Sequence, residues 1–123
     1  MTRVLLLALA ACVSGCTSPY QYDPGAYVRD HGPEPSKDDI QSAKVAMFDC
    51  MLKTAPTLDD DRSDAKTIAV AVAGACSRQA NEYARQRSWA FTDNTRRAYM
   101  ADFHDAAEAA ALTVVLQQRA ARR

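Results

Sequence analysis

The sequence predicts an all-α protein, a small three-helix bundle carried on a disordered tether. Two observations lead to this fold class. Apolar residues recur at helical spacing in three successive segments after residue 36, and capping side chains stand where those segments begin. Nothing after Gly74 is glycine or proline, so the second half of the chain is broken by caps alone. The chain has 123 residues, which allows one domain at most, near the small end of what folds alone.

The first helix is predicted to start at Ser36. Ser36 can cap, and Asp39 three residues later can close a shortened capping box. Asp38 and Asp39 also suit the positive end of the helix dipole. Ile40, Ala43, Met47, Met51 and Leu52 then repeat at helical spacing, and Phe48 widens that face. Pro56 should end this helix near Thr54, because the residue before a proline is pushed out of the α region. Ala55 to Ser63 reads as a polar connection, with Leu58 tucked beneath it.

Asp59, Asp60, Asp61 and Asp64 lack the glycine and closing glutamate of a calcium loop. They are expected to cap the following helix, with no metal bound. The second helix is expected from about Asp64 to Arg87, with Ile68, Val72, Cys76 and Tyr83 on one stripe. Gly74 in its middle costs about 1 kcal/mol relative to alanine, and close approach of another helix would compensate. Ser88-Trp89-Ala90-Phe91 forms the next corner, with Thr92 or Asp93 as the cap beyond it; one continuous, bent helix through this point is the alternative. There Trp89 and Phe91 either fill the corner or form an interaction surface, since aromatic residues are favoured at interfaces. The third helix runs from about Asn94 to near Ala120. Its apolar face is Tyr99, Phe103, Ala106, Ala110 and Val114, broadened by Ala107, Ala111 and Val115.

The N-terminus has a different character. Arg3 gives a positive n-region, and Val4 to Ala11 forms a short apolar run, well below the roughly 20 residues a spanning helix needs. Small residues Ser14 and Gly15 then precede Cys16. This is the layout of a secretory signal peptide, and Val13-Ser14-Gly15-Cys16 resembles the lipobox of bacterial lipoproteins. The resemblance implies cleavage after residue 15, lipidation of Cys16, and permanent attachment to a membrane through at least two acyl chains. Thr17 in place of an aspartate favours the outer membrane, facing the periplasm, if the host has two membranes. The expected organisation is a signal peptide over 1–15, a lipidated N-terminus and tether over 16–35, and a helical domain over 36–123. The tether holds Pro19, Pro24, Pro33 and Pro35. It would reach roughly 60 Å fully extended and about 25 Å as a coil.

With Cys12 removed and Cys16 lipidated, Cys50 and Cys76 remain. In an exported protein they are most simply a disulfide joining the first and second helices. Two buried thiols, or a metal or redox role, are the alternatives. A tight hairpin would leave the two sulfurs about 12 Å out of register, so the bridge calls for an extended connection of nine residues spanning roughly 30 Å. Cys50, Leu58-Asp59-Asp60, Ser63-Asp64-Ala65, Ile68-Ala69 and Cys76 together resemble small exported bacterial helical proteins of unknown function. That resemblance implies no activity.

Formal net charge is zero, which gives no field that favours nucleic acid. Basic residues gather at Arg119, Arg122 and Arg123, where cations suit the negative end of a helix dipole. His104 is expected on the surface. No strained nucleophile turn, phosphate loop or paired His/Cys spacing is present. An enzyme is therefore not expected, nor a cofactor. The expected role is an envelope-anchored structural or interaction module that meets another envelope protein or the cell wall. The alternative is a helical bundle that binds a small apolar ligand or senses one.

Overall fold

The computed structural model describes residues 32–123. The expected signal peptide, Cys16 and most of the tether lie outside the described residues. Within them every regular element is a helix: α1 (Lys37–Leu58), α2 (Ala65–Ala75), α3 (Ser77–Arg87) and α4 (Asp93–Ala121). The expected second helix is present as α2 and α3, broken at Cys76. Among the described residues the fold is therefore all-α, with four helices where three were expected.

Local chemistry sets each start. The Ser36 hydroxyl accepts from the Asp39 amide at 3.1 Å, and the Asp39 carboxylate accepts from the Ser36 amide at 2.9 Å. Together they satisfy two donors of the first turn of α1. Asp64 accepts from the Thr67 amide at 3.0 Å and caps α2. Of the two candidates for the last helix, Thr92 is the cap.

The core is built from Met47, Met51 and Ala55 of α1, Ile68, Ala69 and Val72 of α2, and Ala107, Ala111, Val114 and Val115 of α4. Alanines at these positions let the helix axes approach closely, so little space separates them. α2 packs chiefly on α4, and α1 on α3. The buried face of α4 is centred on Ala107 and Ala111 rather than on Ala106, which points outward. Cys50 and Cys76 are bridged, with Cα atoms 5.9 Å apart, and Cys76 is fully buried. The bridge thus joins α1 to the break between α2 and α3.

Four further sequence expectations change. First, Pro56 does not end α1, which continues to Leu58. Proline removes the amide that would have bonded the Leu52 carbonyl. The Gln118 side-chain amide of α4 donates to that carbonyl instead, at 3.0 Å. Ala55, just before the proline, is fully buried and held by packing. Second, Leu58 is the last residue of α1 and 39% exposed, not tucked under a loop.

Third, the connection is compact rather than extended. Because α1 is longer than expected, Cys50 lies about 12 Å of rise from its end, and Cys76 about 16 Å from the start of α2. The mismatch falls to about 4 Å, and a short turn with Asp61 in the left-handed region (φ 56°) absorbs it. Fourth, Gly74 has no close neighbour. A Cβ built there meets nothing within 4 Å. The glycine faces solvent two residues before the break, and its carbonyl accepts from the Cys76 amide.

Gly74 therefore supplies backbone freedom that no contact uses. Gly74→Ala should stabilise the domain by about 0.5–1 kcal/mol, read as a rise of a few degrees in a thermal melt. A fall in Tm would mean that another helix does need that space.

Candidate functional site

The residues singled out by sequence fall in three separate places. Cys16 lies outside the described residues. Cys50 and Cys76 are joined in the core. Trp89 and Phe91 sit at the corner between α3 and α4, roughly 20 Å along α3 from the bridge by helical rise.

That corner is held by polar contacts to backbone carbonyls. Ser88 is fully buried, and its hydroxyl donates to the Ala84 carbonyl at 2.8 Å. Arg96 reaches back from the first turns of α4. Its Nε donates to the Ser88 carbonyl at 3.2 Å, and its Nη2 to the Trp89 carbonyl at 2.8 Å. A cation here meets the negative end of α3, where carbonyls lack helical partners.

The rings continue inward as a ladder. Phe91 meets Tyr99 edge-on at 5.4 Å between centroids, Tyr99 meets Phe103 at 5.9 Å, and Phe103 meets Tyr83 edge-on at 5.6 Å. Trp89 and Phe91 are both half-buried. The Trp89 indole N–H donates to the Gly32 carbonyl at 3.3 Å, which ties the segment before α1 to the corner. Pro33, Glu34, Pro35, Arg85 and Trp89 border an open cleft of about 240 Å³. The pair thus fills the corner and also presents part of its surface.

A third cluster joins the two ends of the domain. Asp59 caps the C-terminus of α1, yet its side chain is 0% exposed. Arg119 of α4 covers it, with Nη2 to Oδ1 at 2.6 Å and Nε within 3.2 Å of both oxygens. The same guanidinium donates to the Ser63 carbonyl at 2.8 Å. Arg122 bonds Asp59 at 3.1 Å and Asp61 at 3.0 Å. Asp60 instead accepts from the Ser63 and Arg62 amides. Only Asp64 caps the next helix, as expected of all four acids.

These partners leave the carboxylates engaged with the protein itself. Hydrogen bonding from Arg119 holds the Asp59 carboxyl at about 2, against an ordinary value of 3.8, with burial opposing the shift. The amides of Ser63 and Arg62 lower Asp60, and the hydroxyl and amide of Thr67 lower Asp64. Among the described residues no group of three His, Cys, Asp or Glu side chains converges as a metal site would require. His104 lies exposed on α4 and pairs with Glu108 at 3.2 Å.

The Asp59–Arg119 pairing spans 60 residues. The clustering of acids at 59–64 and of arginines at 119–123 was its only sequence signal, and capping explained the acids and the helix dipole the arginines.

The sign of the pH dependence follows. A carboxyl whose folded pKa is depressed adds stability above its unfolded pKa and loses it as pH falls through the folded one. Tm should therefore hold steady from neutral pH to about 5 and fall between about 4 and 2. Asp59→Asn should lower Tm at pH 6 and flatten that acid slope, measured by circular dichroism melts across the range. An unchanged slope would show that this pair does not set it.

The chain matches no protein-family model, no curated protein and no solved structure. What it does therefore rests on its own residues.

Proposed function

We propose that this protein is a lipid-anchored lipoprotein of the bacterial cell envelope, acting as a surface interaction module and not as an enzyme. Val13-Ser14-Gly15-Cys16, placed after Arg3 and a short apolar run, carries the reading. In it, Cys16 receives the lipid and becomes the first residue of the mature chain. Thr17 then directs the protein to the outer membrane in a two-membrane host, where it faces the periplasm.

Two features of the folded domain support this location. The Cys50–Cys76 bridge suits an oxidising compartment. No helix among the described residues is long and apolar enough to cross a membrane, which fits attachment by lipid. Each buried acyl methylene contributes about 0.8 kcal/mol, so two or more chains hold stably where one would not.

The interaction role is supported by how the core is filled. Met47, Met51, Val72 and Val115 occupy the space between the helices, and two concavities among the described residues are open at the surface. That arrangement favours a module that works through its exterior over one whose helices part around an apolar ligand. The half-buried Trp89–Phe91 corner is one candidate contact for an envelope protein or the cell wall.

Cys16→Ser should move the protein from the membrane pellet to the soluble fraction or block its processing. The intact mass of the native chain should begin at Cys16 and include acyl groups. A mutant still fully membrane-bound after a salt wash would overturn the anchor.

A further inference from the structure

The outward face of α1 carries a second apolar seam that the bundle uses only through Phe48, whose ring also packs against the core. Val45 and Leu52 are 56% and 50% exposed, and Phe48 lies half-buried between them. With Gln41, Lys44 and Asp49 they line an open groove of about 300 Å³. The positions 41, 45, 48 and 52 alternate by four and three residues, the a/d spacing of a two-stranded coiled coil. Val45 and Leu52 then occupy a, and Gln41 and Phe48 occupy d. This places Lys44 at g and Asp49 at e, on opposite edges of the seam.

Coiled-coil packing inserts each apolar knob into a hole made by four residues of the facing helix. The six residues lining the groove form two such holes in succession. Gln41, Lys44, Val45 and Phe48 surround the first, and Val45, Phe48, Asp49 and Leu52 the second. We propose that α1 pairs in parallel with α1 of a second copy of this chain, about a two-fold axis, through this seam.

Charge fixes the direction. In a parallel pair the g edge of one helix faces the e edge of the other, so Lys44 of each copy meets Asp49 of its partner, twice over. An antiparallel pair would bring Lys44 towards Lys44 and Asp49 towards Asp49. The Asp49 side chain is 54% exposed, and its bond to Lys53 at 2.7 Å occupies one carboxylate oxygen. The other oxygen is available to a second cation. The seam covers only about one and a half heptads, so the pairing is weak in dilute solution. The inference does not depend on the lipid anchor, which would only raise the local concentration.

The test uses the full chain at high concentration, both in solution and in phosphatidylcholine vesicles, with variants that each add one cysteine, Val45→Cys or Leu52→Cys, and a short bis-maleimide. Val70→Cys, on α2 and 44% exposed, is the control, and the unmodified chain is the blank. Circular dichroism checks that each variant folds. Covalent homodimer should form at Val45 and at Leu52 about tenfold above the Val70 control. Lys44→Asp should reduce that yield, and adding Asp49→Lys should restore it. Equal yields at all three positions would overturn the pairing. A mixed Val45→Cys and Phe48→Cys adduct exceeding the Val45 homodimer would overturn its parallel direction.

Discussion

The disulfide between Cys50 and Cys76 is the constraint on which the rest of the domain depends. Its core is made largely of alanine, with a few methionines and valines. Small side chains permit close helix approach but bury little apolar area each, and a domain of this size has little area to spare. Closing a loop of 26 residues removes chain entropy from the unfolded state, by roughly 3.5 kcal/mol in the chain-entropy account. The position of the bridge matters as much as its strength. Cys76 sits at the junction of α2 and α3, so one covalent link fixes α1 against both halves of the broken helix.

A second set of contacts locks the far end of α1 to the last turns of α4. Gln118 completes the carbonyl that Pro56 leaves unpaired, and Arg119 and Arg122 close over Asp59 and Asp61. A charge as covered as Asp59 is tolerable only when its oxygens are paired. Arg119 meets that condition with a forked geometry that a lysine could not reproduce. α1 is thus held near its middle by a covalent bond and at its end by ionic and polar bonds. Its beginning is held by the Ser36 cap and by the link from Gly32 to Trp89.

Features governed by local chemistry were legible in the sequence. The Ser36–Asp39 box, a cap at Thr92 or Asp93, the Cys50–Cys76 pairing and the all-α class each follow from residues close together or from simple counting. What was not legible depended on partners far along the chain. Pro56 reads as a stop only while Gln118 is out of view. Once α1 extends past Pro56, the inferred extended connection is no longer needed. Asp59 and Arg119 each have a sufficient local explanation as cap and dipole partner, so nothing in the sequence required them to meet. Gly74 suggested a close helix contact, and the structure instead places it on the solvent side. The Trp89–Phe91 corner was ambiguous by sequence because half-burial satisfies both readings.

The same locks explain how α1 can carry an apolar seam on its outside. Its inner face, through Met47, Met51 and Ala55, already satisfies the fold. Val45, Phe48 and Leu52 add exposed apolar surface on a helix that cannot roll to bury it. An aligned apolar stripe with opposite charges on its two edges differs from scattered surface leucines, which need no explanation. Direction then connects the seam to the proposed anchor. The described part of α1 spans about 33 Å by helical rise. Antiparallel pairing would set the two N-termini at opposite ends of that length. Parallel pairing brings them to the same side, the arrangement that the proposed lipid anchor would favour for two chains in one bilayer. The edge charges favour that same direction without reference to any membrane.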